Sequence, residues 1–148
     1  MPGIIVGIDG SADSRRALEW AVSEAAIRQA PLTVLTVHQA VAGWAGGAVT
    51  YPEDVDATTE ARKKVQEEAD SALASLAAGN RPPSVTVKAV NGIPTVELLK
   101  AAADADLIVV GSRGGGGFAK LMLGSVSSQI VHHAHCPVVV IPGERNHD

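Results

Sequence analysis

Five short β-branched runs, Ile4–Ile8, Leu32–His38, 84–90, 107–110 and 137–141, lie so far apart that no two can be joined by a tight turn. Antiparallel neighbours are commonly linked by two residues, whereas parallel neighbours need a crossover of about a dozen or more. Helical periodicity fills the gaps. Residues 12–29 place Leu18, Ala21, Val22 and Ala25 on one face, with Ser11 or Asp13 as the cap and Pro31 as the stop. Residues 57–78 place Val65, Ala69, Ala72, Leu73 and Leu76 on one side, and Arg62, Lys63, Lys64, Glu67 and Glu68 on a solvated side. Pro94 suits a first helical position for a segment ending near Ala103, and residues 123–133 read as the last helix. Strands alternating with helices predict an α/β fold: a five-stranded, mainly parallel sheet with helices on both faces.

Length and charge narrow the function. The 148 residues, 46% hydrophobic and 19% charged, suit a single domain over 1–148 with an aliphatic core. Twelve basic against 16 acidic side chains leave a net charge of -4, which supplies no footprint for binding nucleic acid. The opening Met1-Pro2-Gly3 lacks a basic n-region, and no stretch approaches the roughly 20 apolar residues of a membrane span. One cysteine, Cys136, permits no intrachain disulfide, and a cytoplasmic location is expected. From 39 to 56 the periodicity is lost, and Gly43, Gly46, Gly47 and Pro52 beside Trp44 and Tyr51 predict a long loop, either a lid or a surface excursion.

Ligands of open parallel sheets bind beyond the carboxyl ends of the strands, where the winding direction reverses. Two strand ends stand out, Gly7-Ile8-Asp9-Gly10-Ser11 and Gly111-Ser112-Arg113 with the glycine run from Gly114 to Gly117, and they are expected side by side. The second leads to Gly124-Ser125 at a helix start. Glycines let backbone N–H groups approach phosphate oxygens, and a helix start adds free donors and the positive end of its dipole. The alternative is a flexible loop with Ser125 as an ordinary cap. A P-loop is excluded because no Gly-Lys pair occurs, and too little chain follows the glycine run for a dinucleotide half.

The spacing Gly111, two residues, Gly114, nine residues, Gly124-Ser125 resembles the nucleotide motif of the universal stress protein family, G-x2-G-x9-G-S/T. The opening Ile-Ile-Val-Gly-Ile-Asp-Gly-Ser, the strand Leu-Ile-Val-Val-Gly-Ser-Arg-Gly, the following Leu-Gly-Ser-Val-Ser and the closing His-Cys-Pro-Val-Val-Val-Ile-Pro resemble that family in order, over essentially the whole chain. The resemblance implies a doubly wound five-stranded parallel sheet of strand order 3-2-1-4-5, an ATP-binding subgroup and a homodimer, here expected through the aliphatic last strand. It implies that Gly111, Gly114, Gly124 and Ser125 surround the phosphates and ribose, with Val126 beside them. Asp9 would meet the ribose or a phosphate-bound Mg²⁺, unless it only closes an Asx turn. Ile8 and Val37 would border the adenine. The four-glycine run departs modestly from the family, whose members often carry larger residues there.

Arg113 and Lys120 are placed either to neutralise phosphate charge or to hang in solvent. His132, His133, His135 and Cys136 invite a metal, but histidines also suit a helix C-terminus and a lone cysteine is usually a small hydrophobe. Phosphoryl transfer needs metal positioning and an oriented nucleophile, and only Asp9 offers itself. The expectation is therefore an ATP-dependent sensor or switch in stress response, read by an unknown protein partner, with weak hydrolysis at most. The alternatives are a dimeric interaction module whose site is empty or holds cyclic AMP, and a nucleotide-cleaving or adenylate-transferring enzyme. Replacing Gly114 by valine is expected to weaken ATP binding on the order of tenfold, the worth of a backbone hydrogen bond to a charged group. Unchanged affinity in a folded variant would refute the phosphate-loop assignment.

Overall fold

In the computed structural model, the described residues are 3–39, 43–45, 48–50, 55–77, 79–112 and 124–143. The order of elements is β1 (Ile4–Ile8), α1 (Ala12–Arg28), β2 (Leu32–His38), β3 (Gly43–Ala45), β4 (Ala48–Thr50), α2 (Val55–Ala74), β5 (Val85–Asn91), α3 (Pro94–Ala102), β6 (Leu107–Gly111), α4 (Ser125–His133) and β7 (Val138–Ile141). The main sheet runs β5-β2-β1-β6-β7, all pairs parallel, which is the order 3-2-1-4-5 among its five strands. β1 lies at the centre, with Val6 opposite Val34 on one side and Val109 on the other.

Side chains alternate across this sheet and divide the core into two layers. Ile4, Val6 and Ile8 join Leu18, Ala21 and Val22 of α1 and Val65 and Ala69 of α2. Ile5, Leu35, Ile108 and Val110 pack instead with Leu98 and Ala102 of α3 and Ile130 of α4. The central strands are therefore apolar on both faces, as parallel strands under two helical layers must be.

Local chemistry sets the turns. Gly10 has φ 85°, a left-handed conformation that carries the chain from β1 into α1 and that glycine adopts without steric cost. Of the two candidate caps, Ser11 does the work: its hydroxyl accepts from the Ser14 N–H at 3.1 Å. α1 ends before Pro31, at Gln29, whose left-handed φ of 51° lets the Ala30 N–H reach the Ala25 carbonyl at 2.9 Å.

Two expectations need correction. The segment 39–56 is not irregular throughout: β3 and β4 pair antiparallel, with Trp44 opposite Val49, and α2 begins at Val55. Three-residue strands carry no periodicity, and the sequence signal was the Gly46-Gly47 pair between two short runs. α2 also ends at Ala74, four residues earlier than its apolar pattern suggests, because Ser75 and Leu76 donate to the carbonyls three residues back and tighten the turn. Removing the α1 cap by Ser11→Ala is expected to cost about 1 kcal/mol of stability, seen as a lower urea midpoint. An unchanged midpoint would mean that the cap is redundant.

Candidate functional site

The sheet splits at its centre. α1 leaves β1 to pack in the layer shared with α2, while α4, which follows β6, packs in the layer shared with α3. The carboxyl ends of β1 and β6 are neighbours, so the two departing chains open a cleft between them. That cleft holds a cavity of about 300 Å³ lined by Gly7, Ile8, Asp9, Ser14, Leu35, Val37, Pro94, Leu98, Val110, Gly111, Ser125, Val126 and Ser127. Small-molecule sites occupy about 300–1,000 Å³ and are mostly apolar with a few placed polar groups, and this lining has that character.

Six of the eight residues singled out from sequence, Ile8, Asp9, Val37, Gly111, Ser125 and Val126, line this one cavity. Gly124 adjoins it as the N-cap of α4. Gly114 lies outside the described residues, as do Arg113 and Lys120.

The two helix starts at the cleft differ in what their donors do. At α1 the polar groups satisfy one another. Asp9 Oδ1 accepts from the Ser11 N–H at 2.9 Å, which is the Asx turn foreseen as the alternative role of this residue. The Ser14 hydroxyl donates to the Ser11 carbonyl at 3.0 Å and accepts from the Asp9 N–H at 3.3 Å. Asp9 itself remains exposed at the cavity wall.

At α4 the N-cap is a glycine, which has no side chain with which to cap the turn. The Gly124 N–H donates to the Ser112 carbonyl at 2.6 Å, and the first helical bond runs from the Ser128 N–H to the Gly124 carbonyl at 2.9 Å. The N–H groups of Ser125, Val126 and Ser127 precede that bond, on residues that line the cavity. This is the arrangement that holds an anion at a helix N-terminus.

Glycines make the floor. A Cβ on Gly7 would stand 3.0 Å from Leu98 Cδ2 and 3.7 Å from Val110 Cγ1, so the missing side chain is what keeps this part of the cavity open. A Cβ on Gly111 would meet the backbone and Cβ of Asp13 at 3.0–3.1 Å, so glycine is what lets α1 and β6 approach here. Ser112 Oγ donates to Asp13 Oδ2 at 3.3 Å across the same junction.

Sequence reasoning missed Leu35, Pro94, Leu98, Val110, Ser14 and Ser127, and took Gly7 only as part of a strand end. A glycine inside an apolar strand was a usable sign of close approach, but the partners from α3 come from a distant part of the chain. No group of three or more His, Cys, Asp or Glu suited to a metal occurs among the described residues, and no described helix is long and apolar enough to cross a membrane. Burial pushes the Cys136 thiol up and Asp106 adds to the effect, while a backbone hydrogen bond at Ile108 opposes it. A raised thiol is a poor metal ligand and a poor nucleophile.

The sequence profile of the universal stress protein family matches residues 2–142. The chain belongs to the universal stress protein family. Two universal stress proteins of Mycobacterium tuberculosis are each 39% identical to it: Rv2005c over 142 residues, 94% of this chain and 47% of that protein, and Rv2623 over 153 residues, 96% and 48%. The chain thus spans about half the length of these curated relatives. Among solved structures, the universal stress protein UspA of Lactobacillus plantarum superposes with a TM-score of 0.75 at 26% identity, covering 95% of this chain and 97% of that one. A universal stress protein solved in complex with cAMP gives 0.66 at 26% identity, covering 95% and 96%. A Gly7→Val chain is expected to lose about 1–3 kcal/mol of unfolding free energy as the added methyls press on Leu98 and Val110. Urea denaturation indistinguishable from the wild type would show that Gly7 does not form the cavity floor.

Proposed function

We propose that this universal stress protein binds an adenine nucleotide in the cleft between β1 and β6 and acts as an ATP-dependent switch in stress response. The observation that carries the proposal is the union, in one cavity, of an apolar chamber and a helix start whose N-cap is a glycine. The chamber suits a planar base, with Val37 and Ile8 at its border, and the amides of Ser125, Val126 and Ser127 suit phosphate oxygens. Gly111 and Gly124 admit the close approach that this requires, and Gly114 is assigned to the same phosphate loop on the spacing of the motif.

Asp9 is assigned to the ribose or to Mg²⁺ carried by the nucleotide. Mg²⁺ is commonly held by one or two carboxylates together with phosphate oxygens, so a single exposed carboxylate at the wall fits an ion that arrives with its ligand. Asp9 is also the one ionisable residue among the described lining residues. It accepts a backbone hydrogen bond there and has no histidine, lysine or second carboxylate beside it in that lining, which supports switching over efficient hydrolysis.

A switch needs a ligand with unequal affinity for two states. The proposed second state is a homodimer formed through β7, paired among the described strands with β6 alone, with a protein partner reading the dimer. Cyclic AMP is the second reading of the ligand, favoured by the cAMP complex of the 26%-identical relative.

Calorimetric titration of nucleotide-stripped protein with Mg-ATP and with cyclic AMP, paired with sedimentation equilibrium of the same samples, tests the proposal. Micromolar or tighter ATP binding with a nucleotide-dependent dimer is the expected outcome. Heat with cyclic AMP alone would transfer the site to that ligand, and heat with neither would leave an interaction module.

A further inference from the structure

The geometry points to Ser127 as a positioning residue that aims the first turn of α4 at the phosphate, a role that rests on the nucleotide assignment above. Ser127 is the third residue of α4, is 4% exposed and lines the cavity. Its hydroxyl does not face the ligand as a donor: it donates to the carbonyl of Gly111, the last residue of β6. The third residue after the cap is the position from which a Glu or Gln side chain reaches back to the N-cap amide in a capping box. Here that amide is already taken, because the Gly124 N–H donates to the Ser112 carbonyl at 2.6 Å.

Two bonds therefore stitch the start of α4 to the end of β6. One comes from the N-cap backbone and the other from Ser127, roughly one turn further along. Core packing holds α4 through Val126 and Ile130, and the two bonds add anchors at its first turn. Two anchors separated along the helix fix its tilt, and with it the direction of the Ser125, Val126 and Ser127 amides. β6 is in turn held by β1 and β7 and by Ser112 on Asp13 of α1, so the anchor is rigid. Donors that are fixed before the ligand arrives need no reorganisation when it binds, and it is the charged group of the ligand that benefits. The apolar walls at Leu35, Val37 and Val110 are set by strand packing and do not depend on this bond.

The prediction is a selective one. Loss of the Ser127 hydroxyl weakens the phosphate contact and spares the nucleoside. Calorimetry of wild type and S127A with adenosine and with AMP reads this as a ratio. AMP affinity is expected to fall roughly tenfold in S127A while adenosine affinity changes less than about twofold, with S127T restoring AMP binding. S127T against S127V, two side chains of nearly equal shape that differ in the hydroxyl, gives the same comparison if S127A folds poorly. A general loosening of the fold would lower both affinities together and leave the ratio unmoved, and that result overturns the role of Ser127 while the nucleotide assignment stands. Wild-type protein that binds AMP no better than adenosine overturns the phosphate placement and the positioning role with it. Wild-type protein that binds neither overturns the nucleotide assignment itself.

Discussion

The two-sided pairing of β1 is the constraint on which the rest of the structure depends. Hydrogen-bonded to β2 on one edge and β6 on the other, β1 buries Ile4 and Val6 completely and makes its own carboxyl end the middle of the sheet. Because every neighbour is parallel, each connection must cross over a face, and both faces must be apolar. The helices after β1 and β6 then depart into opposite layers. A cleft at their common end is a consequence of that winding and needs no special residue to create it. What special residues do is keep it open: glycine at position 7 leaves space under Leu98 and Val110, and glycine at 111 lets α1 close against β6.

The chemistry of the cleft follows from how its two helix starts are finished. α1 consumes its own polar groups, with Asp9, Ser11 and Ser14 bonded among themselves. α4 begins on a glycine that offers no side chain, and the hydroxyl of Ser127 in its first turn is committed to Gly111. The same fold therefore presents one closed helix terminus and one open one, side by side. A helix start of the second kind favours an anion through its first N–H groups and its dipole, while the carboxylate of Asp9 stands on the first. This division sets a glycine-capped helix start beside an exposed carboxylate at the wall of one cavity.

Much of this was legible locally. The ends of β1 and β2 follow from β-branched runs closed by Asp9-Gly10 and opened after Pro31, and the start of α1 follows from Ser11, since caps and turns act within a few residues. The motif spacing picked out Gly111, Gly124 and Ser125, which line or adjoin the cavity, because a strand-loop-helix unit is contiguous in sequence. Where local signals were weak or were overridden, the expectation missed. β3 and β4 are too short for a period, and the end of α2 is set by a tightened final turn and not by the apolar stripe that runs past it.

The sequence by itself determined the alternation of elements, the parallel class of the sheet and the glycines and serine at the start of α4, because each depends on propensity, spacing or backbone freedom within one stretch of chain. Only the tertiary structure decided that Gly7, Leu35, Leu98 and Val110 share a cavity, that Asp13 closes on Gly111 and Ser112, and that the Ser127 hydroxyl spends its proton on β6. Those contacts join elements brought together by β1, and no single segment carries information about which distant side chain will stand opposite it until the sheet has been ordered and its faces packed.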